Sequence, residues 1–296
     1  MGKGCTWAAA AMALLVIPAT APAAPERVPP AATAFKVGGV EVVALRDMLN
    51  VVPNDNGVFG VGETPAAVAG VLRGAGAPIG AITLGVDALL VRAPGHLVLI
   101  DTGLGPKVGG VLMESLQRAG VAPNTVTDVL LTHGHPDHVG GLMTADGHSA
   151  FPAARIHFAA AEWQWLRSRP ASAALVRAIE PQVTTFVPGR ALLPGITPVA
   201  IPGHTPGHVG YEIASGGERL LDIGDTAHSS VVSLARPDWT VGYDGDAATA
   251  KASRRAWLTR LAASHQRVFA PHFPYPGVGR IVAAGQGFAW VPERVR

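Results

Sequence analysis

The stretch His133-Gly134-His135-Pro136-Asp137-His138 puts four metal-capable side chains into six positions, and no other part of the 296-residue chain is as dense in them. Imidazole nitrogen and carboxylate oxygen suit zinc and similar borderline ions. One ion cannot easily take all four from so short a turn. The spacing points instead to two ions, with His133 and His135 facing one and Asp137 and His138 the other. Three later stretches add ligand types: Pro202-Gly203-His204-Thr205-Pro206-Gly207-His208, Gly224-Asp225-Thr226-Ala227-His228, and Pro271-His272-Phe273-Pro274. Two ions with four protein ligands each, one carboxylate shared, need seven side chains. The first turn, Asp225, His272 and one of His204 and His208 supply them. The chemistry such a set offers is hydrolysis, because two divalent ions lower the pKa of a shared water toward neutrality.

These residues must be presented by a rigid scaffold. Asp128 to Leu131 reads as the end of a buried strand and Val139 to Leu142 as the start of a helix, so the first motif lies on a strand-to-helix loop. Strands at Ile196–Ile201, Arg219–Ile223 and Val268–Ala270 end at the other three stretches, with a further strand at Val209–Ile213. Val37 to Leu45 reads as a strand with Gly38-Gly39 as a turn at its start, and Arg46 to Gly62 as a loop. Thr64 caps a short helix whose first residue is Pro65. Ala81–Arg92 and His96–Ile100 form a hairpin, and Arg155–Phe158 is a short strand. Helices are expected at Val108–Ala119, Ala160–Arg167, Ala171–Ile179 and Ala247–Ala263. Trp163 and Trp165 cannot share one helix face. Mixed strands and helices without a linker indicate one α/β layered domain over residues 36–296.

Composition narrows the function classes. Hydrophobic residues make up 48 % and charged residues 15 %, with a formal net charge of +2. There is no basic run, so nothing favours nucleic acid as a partner. Residues 1–23 read as an export signal: Lys3, an apolar Trp7–Ile17 and a small-residue site at Ala21-Pro22-Ala23. The apolar run is too short for a membrane span. Residues 24–35, rich in Pro and Ala, read as a flexible leader. Cys5, the only cysteine, falls inside the signal, so the mature chain has no thiol nucleophile, disulfide or Cys ligand. A periplasmic or secreted location is expected, and a homodimer is compatible with this reading.

The ordered set Asp101-Thr102-Gly103, His133 to His138, Pro202 to His208, Gly224-Asp225 and His272-Phe273-Pro274 resembles the metallo-β-lactamase-fold superfamily, over most of the mature chain. The closest resemblance is to its methyl parathion hydrolase branch. That resemblance implies a four-layer αββα sandwich carrying two divalent ions, zinc first, with manganese, cobalt and iron also accepted by these ligands. It places His133, His135 and His204 on one ion and Asp137, His138 and His272 on the other, with Asp225 bridging. It selects His204 over His208, which becomes a supporting residue, as does Asp101. His228 stands where related lactonases carry a substrate-contacting tyrosine, so it is a pocket and catalytic candidate beside Asp137 and Asp225.

The resemblance implies a hydrolase acting on a lactone, aryl ester or phosphotriester. A β-lactamase is the alternative, and a single-iron sulfur dioxygenase a more distant one. Low charge in the loops argues for a small neutral or apolar substrate. Aromatic candidates for its pocket are Phe59, Trp163 or Trp165, Trp239, Phe273 and Tyr275.

Overall fold

The structure, a computed structural model, describes Met1 and residues 28–295. Residues 2–27, which hold most of the expected export signal, Cys5 and the start of the expected leader, lie outside the described residues. The chain opens with an antiparallel hairpin of β1 (Ala32–Val37) and β2 (Val40–Pro53). A short β3 (Phe59–Val61) and α1 (Pro65–Gly74) follow, the latter capped by the Thr64 side chain. A second hairpin joins β4 (Ala81–Ala93) to β5 (His96–Ile100). Then come α2 (Leu112–Arg118), β6 (Asp128–Leu130), α3 (Pro136–Val139), β7 (Arg155–Ala159), α4 (Ala160–Arg167), α5 (Ala173–Ile179) and β8 (Val183–Phe186). The second half runs β9 (Ile196–Ala200), β10 (Val209–Ser215), β11 (Glu218–Asp222), α6 (Val232–Ala235), β12 (Thr240–Val241), α7 (Ala247–Ser264), β13 (Arg267–Phe269), β14 (Val278–Ala284) and β15 (Gly287–Pro292).

Seven strands form one sheet in the order β1-β2-β4-β5-β6-β7-β8, and six form a second in the order β15-β14-β13-β11-β10-β9. Successive residues of a strand point to opposite faces. Val43, Leu45, Ala88 and Leu90 accordingly pack beneath the helices, against Leu112, Leu116, Trp163, Leu166 and Ile179. Val42, Ala44, Leu89 and Val91 turn inward to meet Val209, Tyr211, Ile213 and Leu220 of the second sheet. On that sheet's outer face, Leu221, Ile223, Val268 and Ile281 receive Leu258 and Leu261 of α7. The layers therefore run helix, sheet, sheet, helix, the αββα sandwich expected. Each large apolar side chain buried in these interfaces contributes about 1.5–3 kcal/mol relative to exposure, enough in sum to hold loops rigidly at a sheet edge.

Strand direction places the ligand loops together. β5, β6 and β7 are parallel, as are β11 and β13. β9 shares the direction of β11, because β10 is antiparallel to both. The C-terminal ends of β6, β9, β11 and β13 thus meet along one edge. Two bonds tie the sheets there: the Tyr211 hydroxyl donates to the Leu131 carbonyl at 2.8 Å, and Val209 N–H to the Thr132 carbonyl at 3.0 Å. At the opposite end of the parallel strands, His96 and His157 both bond Asp128, at 2.7 and 2.8 Å, which makes them structural as expected.

Two expectations about the N-terminal part are corrected. Gly38-Gly39 separates two strands rather than starting one, and β1 occupies Ala32 to Phe35 of the expected leader. Ala and Thr carry little apolar signal, and the pairing of β1 with β2 supplies what composition could not show. The expected loop from Arg46 is strand as far as Pro53. The register shifts between Arg46 and Met48, and the Asp47 carboxylate, fully buried, accepts from Leu104 N–H at 2.8 Å and Leu112 N–H at 2.9 Å. Among the described residues no helix is long and apolar enough to cross a membrane.

Candidate metal centre

The orientation of each histidine follows from the partner of its outer nitrogen. The Thr132 hydroxyl donates to Asp101 Oδ2 at 2.8 Å, so it accepts from His133 Nδ1, 3.1 Å away. His138 Nδ1 donates to Asp101 Oδ2 at 2.8 Å, His204 Nδ1 to Asp244 Oδ1 at 3.1 Å, and His272 Nδ1 to the Gly85 carbonyl at 2.7 Å. A neutral imidazole donates at one nitrogen and accepts at the other. All four rings therefore turn an Nε2 lone pair inward, and His135 presents Nδ1.

These lone pairs converge in two groups. His133 Nε2, His135 Nδ1 and His204 Nε2 lie 2.8, 3.1 and 3.2 Å from one another. Asp225 Oδ2 lies 3.1 Å from His204 Nε2 and 3.6 Å from His133 Nε2. Asp225 Oδ1 faces the other group, 3.1 Å from His138 Nε2 and 3.0 Å from His272 Nε2, while Asp137 Oδ2 is 3.7 Å from both. Acceptors so arranged repel unless a cation lies between them, and His138 Nε2 is buried with no hydrogen-bond partner. Protons answer this only in part. Against the effect of burial, Asp225 raises His138 and His272 and brings His204 up to about 9, whereas burial leaves His133 low and His135 at about 4. A divalent ion satisfies three or four lone pairs at once. The seven residues expected as ligands thus form two groups able to hold metal ions, joined through Asp225.

His208 and Asp101, expected as supporting residues, both bond residues of the candidate centre. His208 donates from Nδ1 to the Ile201 carbonyl at 2.8 Å and accepts the Asp225 N–H at Nε2, 2.9 Å away. Burial pushes it down to about 3, so it stays neutral and keeps both bonds. It holds Asp225 by the backbone rather than facing a metal. Gly224 makes room: a Cβ there would stand 2.6 Å from His208 Nε2. Asp101 has a φ of 60°, unusual for a residue with a side chain, and its three bonds to Thr132 and His138 hold it there.

Two supports carried no signal in the sequence beyond a charge on a helix or in the loop before one. Asp244 is itself held by Arg254 Nη2 at 2.6 Å. Glu162, fully buried, accepts from Gly134 N–H at one oxygen and from the Thr205 hydroxyl and Gly207 N–H at the other, all at 2.8 Å. It ties the loop of His133 and His135 to that of His204. Gly207 permits the approach, since a Cβ there would stand 2.3 Å from Glu162 N. Glu162→Gln turns an amide donor toward one of these donors. We expect a loss of about 1–3 kcal/mol in urea unfolding and zinc affinity about 10- to 100-fold weaker in chelator competition. Unchanged zinc affinity would show that the loops hold their places without it.

The centre opens into a cleft of about 440 Å³ whose walls include Leu84, Val86, Leu104, Asp137, His228 and Tyr243. His228 lines this cleft. Its Nε2 is 3.0 Å from Asp225 Oδ2, its ring stacks on His272 with centroids 5.3 Å apart, and neither nitrogen has a well-aligned hydrogen bond. The aromatic expectations are corrected. Phe59 is buried with Val52, Val68 and Ile82, and Trp239 packs on the same cluster. Trp163 faces the core against Phe158, and it is Trp165 that stands near His135. Phe273 is fully buried edge-on to Trp290, and the Tyr275 hydroxyl is hydrogen-bonded to the Ala44 carbonyl, which accepts, and to the Thr33 hydroxyl. Proximity in sequence to a ligand misleads here, because adjacent side chains leave the backbone in different directions. Leu84, Val86 and Tyr243 went unnoticed; the only signal was that β4 is apolar right from its start beside the site.

A sequence profile of the Metallo-beta-lactamase superfamily matches residues 81–272, from the start of β4 to the last of the seven convergent residues. Among solved structures, AidC, a dizinc quorum-quenching lactonase, is similar with a TM-score of 0.85 and 30 % identity, covering 90 % of this chain and 98 % of AidC. The hydrolase AbOPH of the beta lactamase superfamily gives 0.80 and 29 %, covering 90 % and 98 %. Hydroxyacylglutathione hydrolase from Aeromonas hydrophila is 30 % identical over 147 residues, 48 % of this chain and 46 % of that protein. Metallo-beta-lactamase domain-containing protein 1 of Xenopus laevis is 42 % identical over 80 residues, 27 % of this chain and 34 % of that protein. These curated relatives are thus matched over less than half their length. With the profile, the αββα layers and the convergent histidines in agreement, the chain belongs to the metallo-beta-lactamase superfamily.

Proposed function

We propose that the protein is a dinuclear metal-dependent hydrolase that cleaves a lactone, aryl ester or phosphotriester with an apolar arm. The observation that carries this reading is the pair of lone-pair clusters sharing Asp225, at the foot of a cleft walled by Leu84, Val86 and Leu104. His133, His135 and His204 would hold one ion and Asp137, His138 and His272 the other, with Asp225 facing both. Bound there, two divalent ions supply Lewis acidity to the substrate's polar oxygen and a water acidic enough to ionise near neutral pH. Asp137, whose side chain is 29 % exposed toward the cleft, accepts the proton of the attacking water and returns it to the leaving oxygen. His228 offers a hydrogen bond to the oxygen that gains charge as the carbonyl or phosphoryl centre is attacked. The apolar walls take the acyl or alkyl arm. AidC, similar over most of its length and described as a dizinc lactonase, supports the choice of reaction and of zinc.

A panel of lactones, aryl esters, phosphotriesters and a chromogenic β-lactam against zinc-loaded protein tests the reading. Turnover of at least one of the first three classes, lost on chelation and restored by zinc, is expected; full activity without metal would sink it, and best turnover of the β-lactam would favour that alternative. His228→Phe is expected to lower kcat/KM by about 10²-fold or more with unchanged metal content. A matching loss of metal would make His228 a ligand instead.

A further inference from the structure

A second cleft, of about 650 Å³, opens on the other side of Tyr243 and shares His135, Gly242 and Tyr243 with the first. Trp165 and Arg169 form one wall, and the segment from Asp244 to Thr249 contributes to the other. Trp165 stands edge-on to His135 with centroids 5.6 Å apart, and the Arg169 guanidinium lies 5.1 Å from the centre of the indole. Imidazole, indole and guanidinium thus form a row leading outward from the candidate metal centre.

Charge in this cleft is unevenly satisfied. Asp244 is engaged by His204 and Arg254. Asp246 caps α7, accepting from Ala248 N–H and Thr249 N–H at 3.1 Å and from the Thr249 hydroxyl at 2.6 Å. Nearby Arg167 lies 3.7 Å from Glu180, but Arg169 has no carboxylate partner among the described residues. A guanidinium held by an aromatic face, and left without a counter-ion, loses little freedom when it binds an anion.

We propose that this second cleft receives the leaving-group arm of the substrate, with a flat segment against Trp165 and a carboxylate on Arg169. This rests on the hydrolase reading and deepens it: the apolar arm lies past Leu84 and Val86, the scissile bond at the metal centre, and the anionic arm along the row of His135, Trp165 and Arg169. The wholly neutral substrate expected from low loop charge gives way to an amphiphilic one.

The test compares hexanoate esters of para-hydroxybenzoate and para-hydroxybenzamide, which differ in one charge at one position. Zinc-loaded protein should show a KM about tenfold lower for the carboxylate ester, the size of one charge-assisted hydrogen bond near the surface. Arg169→Gln should erase that difference while leaving the benzamide ester within about twofold, and Arg169→Lys should restore part of it. Equal KM values in the unaltered protein, or an equal rise for both esters in Arg169→Gln, would overturn the proposal. If neither ester is cleaved, that outcome counts against the aryl-ester member of the proposed substrate classes rather than against the subsite. Calorimetry with the uncleavable hexanamides of para-aminobenzoate and para-aminobenzamide then decides the subsite by the same ratio.

Discussion

Replacing Asp225 by alanine should reduce the metal content from about two ions per chain to one or fewer and lower kcat by about 10³-fold or more. Its two oxygens serve different groups, Oδ2 near His204 and His133 and Oδ1 near His138 and His272. Burial disfavours its charge, yet His138, His272, His133 and His228 hold the carboxyl well below the usual carboxylate range. Truncation therefore removes the one anion that faces both groups and leaves their lone pairs and positive ions uncompensated. Asp225→Asn discriminates further. It keeps the shape, but it cancels the charge and turns an NH₂ toward one group, so one ion should be lost in preference to the other. Elemental analysis after gel filtration, with kinetics on the same samples, measures both effects. Two ions retained and native turnover in Asp225→Ala would refute the shared-carboxylate centre.

Arg254→Met should cost about 3–5 kcal/mol of stability, the usual consequence of stranding a buried charge. Arg254 is 2 % exposed, although it sits on the long outer helix α7. It donates to the Thr226 carbonyl at 2.9 Å, to the Pro237 and Trp239 carbonyls at 3.2 and 3.3 Å, and to Asp244 Oδ2 at 2.6 Å. Methionine fills the space of the side-chain stem but leaves Asp244 ionised and buried, with only His204 beside it. The sign of the pH dependence follows from Asp244. Burial by itself raises its carboxyl, but His204 and Arg254 hold it below the ordinary value. A depressed carboxylate stabilises the fold above its unfolded pKa of about 4 and loses that effect as pH falls through the folded value. The gap between the two proteins in urea unfolding should thus be full at neutral pH and close on acidification below about pH 4. A gap that stays constant with pH would assign the effect to packing alone. Asp244→Asn added to Arg254→Met should recover part of the loss, since the stranded charge is then gone.

The parts of this protein that were legible in its sequence are those whose partners lie within one turn or at the end of one strand. His133, His135, Asp137 and His138 are held near each other by covalent spacing alone, and strands ending at His204, Asp225 and His272 can deliver them only to a sheet edge. Short apolar runs alternating with helical patterns gave the α/β layering in the same way, while the four-layer αββα order came from the family resemblance. Spacing could not separate His204 from His208; the reason is now visible in the Asp225 N–H, which occupies His208 Nε2. The walls of the clefts were not legible. Leu84 and Val86 come from a hairpin far in sequence from the candidate ligands, whereas Phe273, adjacent to His272, turns into the core. Glu162, Arg254 and Arg169 read as ordinary charges on or near helices. Only the packed structure shows that the first two are buried crosslinks of the centre and that the third, on the face of Trp165, has no carboxylate partner among the described residues. Local sequence specifies which atoms can act together because a few bonds limit their separation. Which side chains surround them depends on contacts between strands and loops distant in sequence, which only the closed sandwich creates.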